Sequence, residues 1–246
     1  MSIEDILQSA PQYMDVVSTY DLDVAGGDLQ IDETGDLALT PDGDLKFGND
    51  RINATHRLVQ RWCFNVPIIS VMFSLAAHSN TTTQNLVAER EVIAPLLFQN
   101  DQSMQRFHHI NNEIGAHEFG GGASAGALMV VLSNLLLRYK DDLKPAPAKW
   151  ENSSSQIGGR SFGSIVVAAA ANFRHYDEWA RTERPTNQQL SSIRVIADVL
   201  KQAIAPDGYR HPFRHNVCPD LLEALSGGDF ELLSQRFFAF AKDVAA

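Results

Sequence analysis

The first fifty residues of this chain hold one basic side chain, Lys46, against twelve Asp and Glu. That shortage excludes a phosphate-gripping or anionic-lipid-binding surface there, because the cations such a surface needs are missing. Cysteine is nearly as scarce. Cys63 and Cys218 are the only two. With no Cys-x-x-Cys spacing, a disulfide framework and a thiolate metal site both drop out, and a reduced, cytoplasmic setting is expected. Long apolar runs are lacking too. The longest, Ala123 to Leu137, is interrupted by Ser124, Gly126, Ser133 and Asn134, which is too short and too polar to span a bilayer. The opening Met1-Ser2-Ile3-Glu4-Asp5 is acidic where a secretory signal is basic. No membrane partner is expected. Absent as well are the phosphate loop, the Gly-x-Ser-x-Gly elbow and the two-His zinc helix. No cofactor and no metal are expected.

What is present suits an ordinary globule. The chain has 246 residues, 44 % of them hydrophobic and 9 % aromatic, enough to bury a substantial core. Its net charge of −10 is not spread evenly. Residues 1–50 carry a net of −11, while the other 196 balance 19 basic against 18 acidic side chains. Recognition is therefore expected at the front end, by a protein partner with a basic surface.

That front end repeats. Gly27-Asp28-Leu29, Gly35-Asp36-Leu37 and Gly43-Asp44-Leu45 lie eight residues apart. Each Gly-Asp is a turn signal, and each following run alternates apolar with polar. Four strands are predicted: Asp21–Val24, Asp28–Asp32, Asp36–Thr40 and Asp44–Phe47. Period two puts Leu22, Val24, Leu29, Ile31, Leu37, Leu39, Leu45 and Phe47 on the face that packs on a core. Asp23, Asp28, Asp32, Asp36 and Asp44 stand on the wet face and are the candidate partner-binding residues.

The remainder reads as helix. Ser2 to Tyr20 forms a short one broken near Pro11. Asn49 or Asp50 caps a second through about Phe64. Pro67 opens a segment, Ile68 to Ala77, that fits either helix or strand, and Thr81–Thr83 cap a helix to Phe98 with a kink at Pro95. Gln102 to Ala116 is helical and stops at Gly120-Gly121-Gly122. Ala125 to Lys140 is an apolar, buried helix. Residues 141–159 are the main loop. Helices follow at Ser161–Arg181 and from a Thr186 cap to Ile204, then a Pro/His/Arg-rich loop at 206–217, then short helices near 219–225 and 229–244.

One helix concentrates reactive groups. Within Asn172-Phe173-Arg174-His175-Tyr176-Asp177-Glu178-Trp179, Arg174 and Glu178 are four apart and His175 and Glu178 three apart, so both pairs are neighbours. A His beside a carboxylate can act as general acid or base. The segment resembles a stretch of helical bacterial proteins and, more loosely, the motif helix of the HEPN superfamily. Those are helical bundles, often toxins or phage-defence ribonucleases, whose signature is an Arg, four to six residues, then a His, set across a two-fold dimer. The resemblance implies a metal-independent ribonuclease with Asn172, Arg174, His175 and Glu178 as its catalytic site. RNA would be the substrate and a homodimer the working unit. Here Arg174 and His175 are adjacent, and their side chains diverge by roughly 100° about the helix axis. Arg51-x4-His56, Arg210-x4-His215 and the Asn-led Asn112-x4-His117 match the spacing elsewhere. A second likeness covers Thr34 to Trp62, where Gly-Asp-Leu strands precede a helix bearing Arg57, Gln60 and Arg61. It resembles the start of contractile-phage baseplate and tail proteins.

These readings converge on an α+β protein. An acidic helix and antiparallel β-meander occupy residues 1–50 and a helical bundle residues 51–246, or the two form one continuous domain. The first functional expectation is a non-catalytic interaction or assembly protein of a phage, prophage or bacterial defence locus. The alternative is the HEPN-like ribonuclease. A nucleic-acid mimic is the third.

Overall fold

The computed structural model describes residues 12–22, 30, 32–46, 50–97, 101–154, 156–207 and 210–246. The Ser2 cap, Asp23 and Asp28 lie outside them. In chain order the described helices are α1 (Tyr13–Thr19), α2 (Asp50–Ile93), α3 (Asp101–Leu143), α4 (Pro147–Glu151), α5 (Phe162–Arg181), α6 (Asn187–Leu200), α7 (Cys218–Ser226) and α8 (Phe230–Ala245). A single 3-10 turn, Ala94–Leu96, extends α2. Strands β1 (Gln156–Ile157) and β2 (Arg160–Ser161) form an antiparallel hairpin between α4 and α5.

Two long helices organise everything else. At 1.5 Å per residue α2 and α3 are each about 65 Å long. Their contacts run in opposite order along the two helices, Arg57 with Asp142, His78 with His117 and Glu89 with Arg106, so they form an antiparallel hairpin. Val59, Trp62, Val66, Ile69, Phe73 and Ala76 of α2 are buried at alternating three- and four-residue steps, the spacing of a helix–helix seam. Ala125, Leu128, Met129, Leu132, Leu136 and Tyr139 face them from α3. Beyond Ala76 no described apolar residue of α2 is fully buried, and α3 contributes Ile110 and Ile114 there. Among the described residues the distal part of the hairpin is thus two helices thick, while α5 to α8 pack around its proximal part.

Sequence punctuation fails at three predicted breaks, for Pro67 and the Thr81–Thr83 cap lie inside the continuous α2 and Gly120–Gly122 inside the continuous α3. Pro67 withholds one helical hydrogen bond and by itself costs about 3 kcal/mol. Burial of Trp62, Val66, Ile69 and Phe73 on both sides of it contributes roughly 1.5–3 kcal/mol per side chain, and α2 runs through. Gly120–Gly122 likewise does not end α3. A Cβ on Gly121 would stand 2.6 Å from the Ser79 Cβ, and one on Gly126 would fall on the Phe173 ring. These glycines let α2 and α5 approach α3 closely. Uncharged stretches result: α2 has no Asp, Glu, Lys or Arg between Arg61 and Glu89, nor α3 between Glu118 and Arg138. By length and composition alone both helices could cross a membrane, and 39 % and 56 % of their most apolar windows are buried inside the protein.

The expected α+β class and its N-terminal β-meander are overturned. Among the described residues the only paired strands are β1 and β2, at residues 156–161. Residues 32–46 form the turns without the sheet. Gly35 and Gly43 take positive φ (+88° and +85°) as the Gly-Asp signals require, but pairing reduces to an isolated Leu39–Leu45 bridge and a few backbone hydrogen bonds, such as Lys46 N–H to Ala38 O. Turns every eight residues leave arms too short for a ladder. Leu22 does join the core, but Leu37, Leu39 and Leu45 do not, being 52 %, 59 % and 42 % exposed. The protein is a helical bundle.

The residues assigned to a loop before α5 fold instead. Lys140 lies 4.7 Å over the Trp150 ring of α4. The β1–β2 turn uses Gly158 and Gly159 at positive φ, and a Cβ on Gly158 would meet the Asp198 carbonyl at 2.6 Å. Ser161 then caps α5 by accepting the Ser164 N–H. Helix α6 starts with the Thr186–Gln189 capping box and ends at Leu200, four residues short of the expected Ile204. Inside, Trp62 packs on Phe237 and Phe238, Phe162 on Phe240, and the Tyr139 hydroxyl donates to Ala241 O at 3.0 Å.

Candidate functional site

The four residues expected to act together on α5 face different surroundings. Asn172 is fully buried. Its Oδ1 accepts the Val217 N–H at 3.0 Å and its Nδ2 donates to His215 O at 3.2 Å. Both ends of the amide are spent on holding the loop that leads into α7. Arg174 turns toward α3 and donates to Asn134 Oδ1 at 3.4 Å. His175 and Glu178 remain together. His175 Nδ1 lies 3.2 Å from Glu178 Oε2, both side chains are exposed, and both line a shallow cleft of about 210 Å³ against Thr186 and Gln189 of α6. The helix therefore supplies a His–carboxylate pair, with its Arg and Asn committed to neighbours on other sides. The other Arg/His matches are dispersed. His56 Nδ1 meets the Tyr13 hydroxyl at 2.9 Å, and burial lowers the His56 pKa while raising that of Tyr13 to about 12.

The acidic residues also divide. Asp32 Oδ1 accepts the Thr34 hydroxyl at 2.6 Å and the Thr34 and Asp36 backbone N–H groups at 2.8 and 3.1 Å. Its pKa is held below the ordinary carboxylate value, first by the Thr34 hydroxyl. It builds its own turn. Asp36 is exposed and Asp44 partly so. Asp42, not among the candidates, anchors the segment: its carboxylate reaches Arg61 at 2.7 Å and Arg138 at 4.0 Å, while Arg61 also pairs with Asp142 at 2.7 Å. Asp21 pairs with Lys242 at 2.9 Å, which lowers its pKa.

Buried orphans are few. Arg57, Nε-bonded to Asp142 at 3.0 Å, leaves Nη1 without a partner, and Asn53 Oδ1 one turn before it is also unpaired. His211 is buried between Trp179 and Phe213 with Nδ1 unpaired, and burial lowers its pKa. Cys218 donates to Ala169 O and burial raises its thiol to about 12, while both cysteines are free. No group of three or more metal-ligating side chains occurs among the described residues.

The largest cleft among those found, about 690 Å³, was not anticipated. It lies where α2, α3, α5 and the start of α7 meet. Its lining comes from sequence positions more than a hundred residues apart, so no local motif could reveal it. Comparison of the chain with protein-family models, with curated proteins and with solved structures finds no match.

Proposed function

We propose that this chain is a non-catalytic interaction or assembly protein, of the kind carried by phages, prophages and bacterial defence loci, which meets a protein partner with a basic surface through its acidic N-terminal turns. The observation that carries the reading is the joint exposure of Leu37, Leu39 and Leu45 beside the acidic Asp32 and Asp36. Apolar side chains displayed on an anionic segment suit a partner that is basic around an apolar centre. Charge would set the approach and apolar burial the lifetime. The Asp42–Arg61 pair tethers that segment to the bundle, which limits the ordering a partner must impose. A reducing cytoplasm goes with it, since both cysteines are free.

Crosslinking mass spectrometry of the full chain in its native cells tests the idea. Crosslinks from residues 32–46 to a basic protein, lost when Leu37 and Leu39 become Ser and Asp32 and Asp36 become Asn, are expected. Crosslinks that survive those changes, or that never involve this segment, overturn it.

The ribonuclease reading retains one supporting observation, the 3.2 Å His175–Glu178 pair in its cleft. It is the weaker one, because Arg174 and Asn172 are engaged elsewhere. Cleavage of several RNAs by the parent protein, abolished in His175→Ala, would replace the binding reading with this one.

A further inference from the structure

The 690 Å³ cleft lies at the base of the distal hairpin and is within the size range of small-ligand sites. Asn216 in its lining donates to Gly122 O and accepts the Cys218 N–H, but much of the remaining polar lining is uncommitted. Among the described residues Asn80 and Thr83 of α2, Glu118 of α3, Tyr176 of α5 and Asp220 of α7 have no side-chain hydrogen bond or ion pair.

Its carboxylates face no Lys or Arg. Glu118 and Asp220 line the cleft together with the imidazoles of His117 and His215. With the imidazoles neutral, phosphates and carboxylates are repelled and cations attracted. Two aromatic side chains belong to the same rim: Phe119, which is 81 % exposed, and Tyr176. A large apolar ring left in water beside unpaired carboxylates has the chemistry of a site for a flat cation. The ring faces attract the charge, and the carboxylates accept paired N–H donors.

We propose that this cleft binds a planar organic cation of the guanidinium or amidinium class, either as a free small molecule or as an arginine side chain presented by another protein. Shape and hydrogen-bonding pattern are shared by the two sources. The site is separate from the N-terminal turns and does not depend on their role.

Isothermal titration of the full chain with benzamidinium, and with benzoate as its anionic isostere, tests the proposal. Saturable one-to-one binding of benzamidinium and none of benzoate is expected. Glu118→Gln with Asp220→Asn should weaken it at least about tenfold, the loss of two charge-assisted contacts. Phe119→Ala should weaken it about threefold. Both carboxylates and Phe119 are exposed, so the variants should keep the parental melting temperature, and Asp32→Asn with Asp36→Asn should leave binding unchanged. Competition separates the sources: displacement by a Gly-Arg-Gly peptide more strongly than by arginine amide supports a presented side chain, and the reverse supports a free cation. No saturable benzamidinium binding at millimolar concentration, equal binding of benzoate, or unchanged affinity in the double carboxylate variant overturns the site.

Discussion

The Asn172 side chain takes the Val217 backbone N–H at 3.0 Å from inside a fully buried position. One of the four residues expected to be catalytic on α5 is a strut between that helix and the loop entering α7. Removing it leaves a buried N–H and a carbonyl unsatisfied. Asn172→Ala should lower stability by about 2–3 kcal/mol, read as a shift of the urea midpoint. An unchanged midpoint would return Asn172 to the list of functional residues.

Gly126 marks where α5 crosses α3. A methyl group there falls on the Phe173 ring. Gly126→Ala gains helix propensity of about 1 kcal/mol yet forces apart two packed helices, at about 1–3 kcal/mol or more. Net destabilisation is expected in thermal melts. Gly115→Ala is the control, since nothing lies within 4 Å of its would-be Cβ, and it should stabilise by up to about 1 kcal/mol.

Asp142 holds Arg57 at 3.0 Å and Arg61 at 2.7 Å with little solvent access. Asp142→Asn leaves the Arg57 guanidinium buried with its charge uncompensated. The expected loss is about 3 kcal/mol in chemical denaturation. Asp177→Asn breaks only the exposed pair with Arg181, and its effect should stay below about 1 kcal/mol.

Acid should weaken the fold through histidine. Burial lowers the pKa of His211 and of His56 from the ordinary 6.5. Above that value both are neutral folded and unfolded, and their environment's full contribution is present. As pH falls from 6.5 toward the lower folded pKa, the unfolded chain binds the protons first, so stability declines with falling pH in that window. His211→Phe keeps an aromatic ring between Trp179 and Phe213 and should flatten part of the slope. Urea midpoints measured between about pH 7.5 and 5.5 will show whether it does.

Local signals were legible where they needed only neighbours in sequence. Thr186 caps its helix as read, and Gly35 and Gly43 make the turns their Gly-Asp pairs announce. The signals that misled were those which packing outweighs. Pro67 and Gly120–Gly122 read as stops because the cost of each is local, whereas the burial and close approach that offset it come from α3, α5 and α8. The leucines of residues 37–45 read as a sheet face because alternation was present. A ladder also needs arms long enough to pair, and these are not.

The candidate site shows the same division. His175 and Glu178 are one helical turn apart, so sequence alone made them neighbours. Helix geometry by itself also turns Arg174 away from His175. Only the tertiary structure committed Asn172 to Val217 and Arg174 to Asn134, and only it gathered Glu118, Tyr176 and Asp220 around one cleft. Charge, turn chemistry and helix caps act over a few residues, and the chain carried them by itself. Which polar group finds a partner, and which is left free for a ligand, depends on surfaces that meet only when the helices pack.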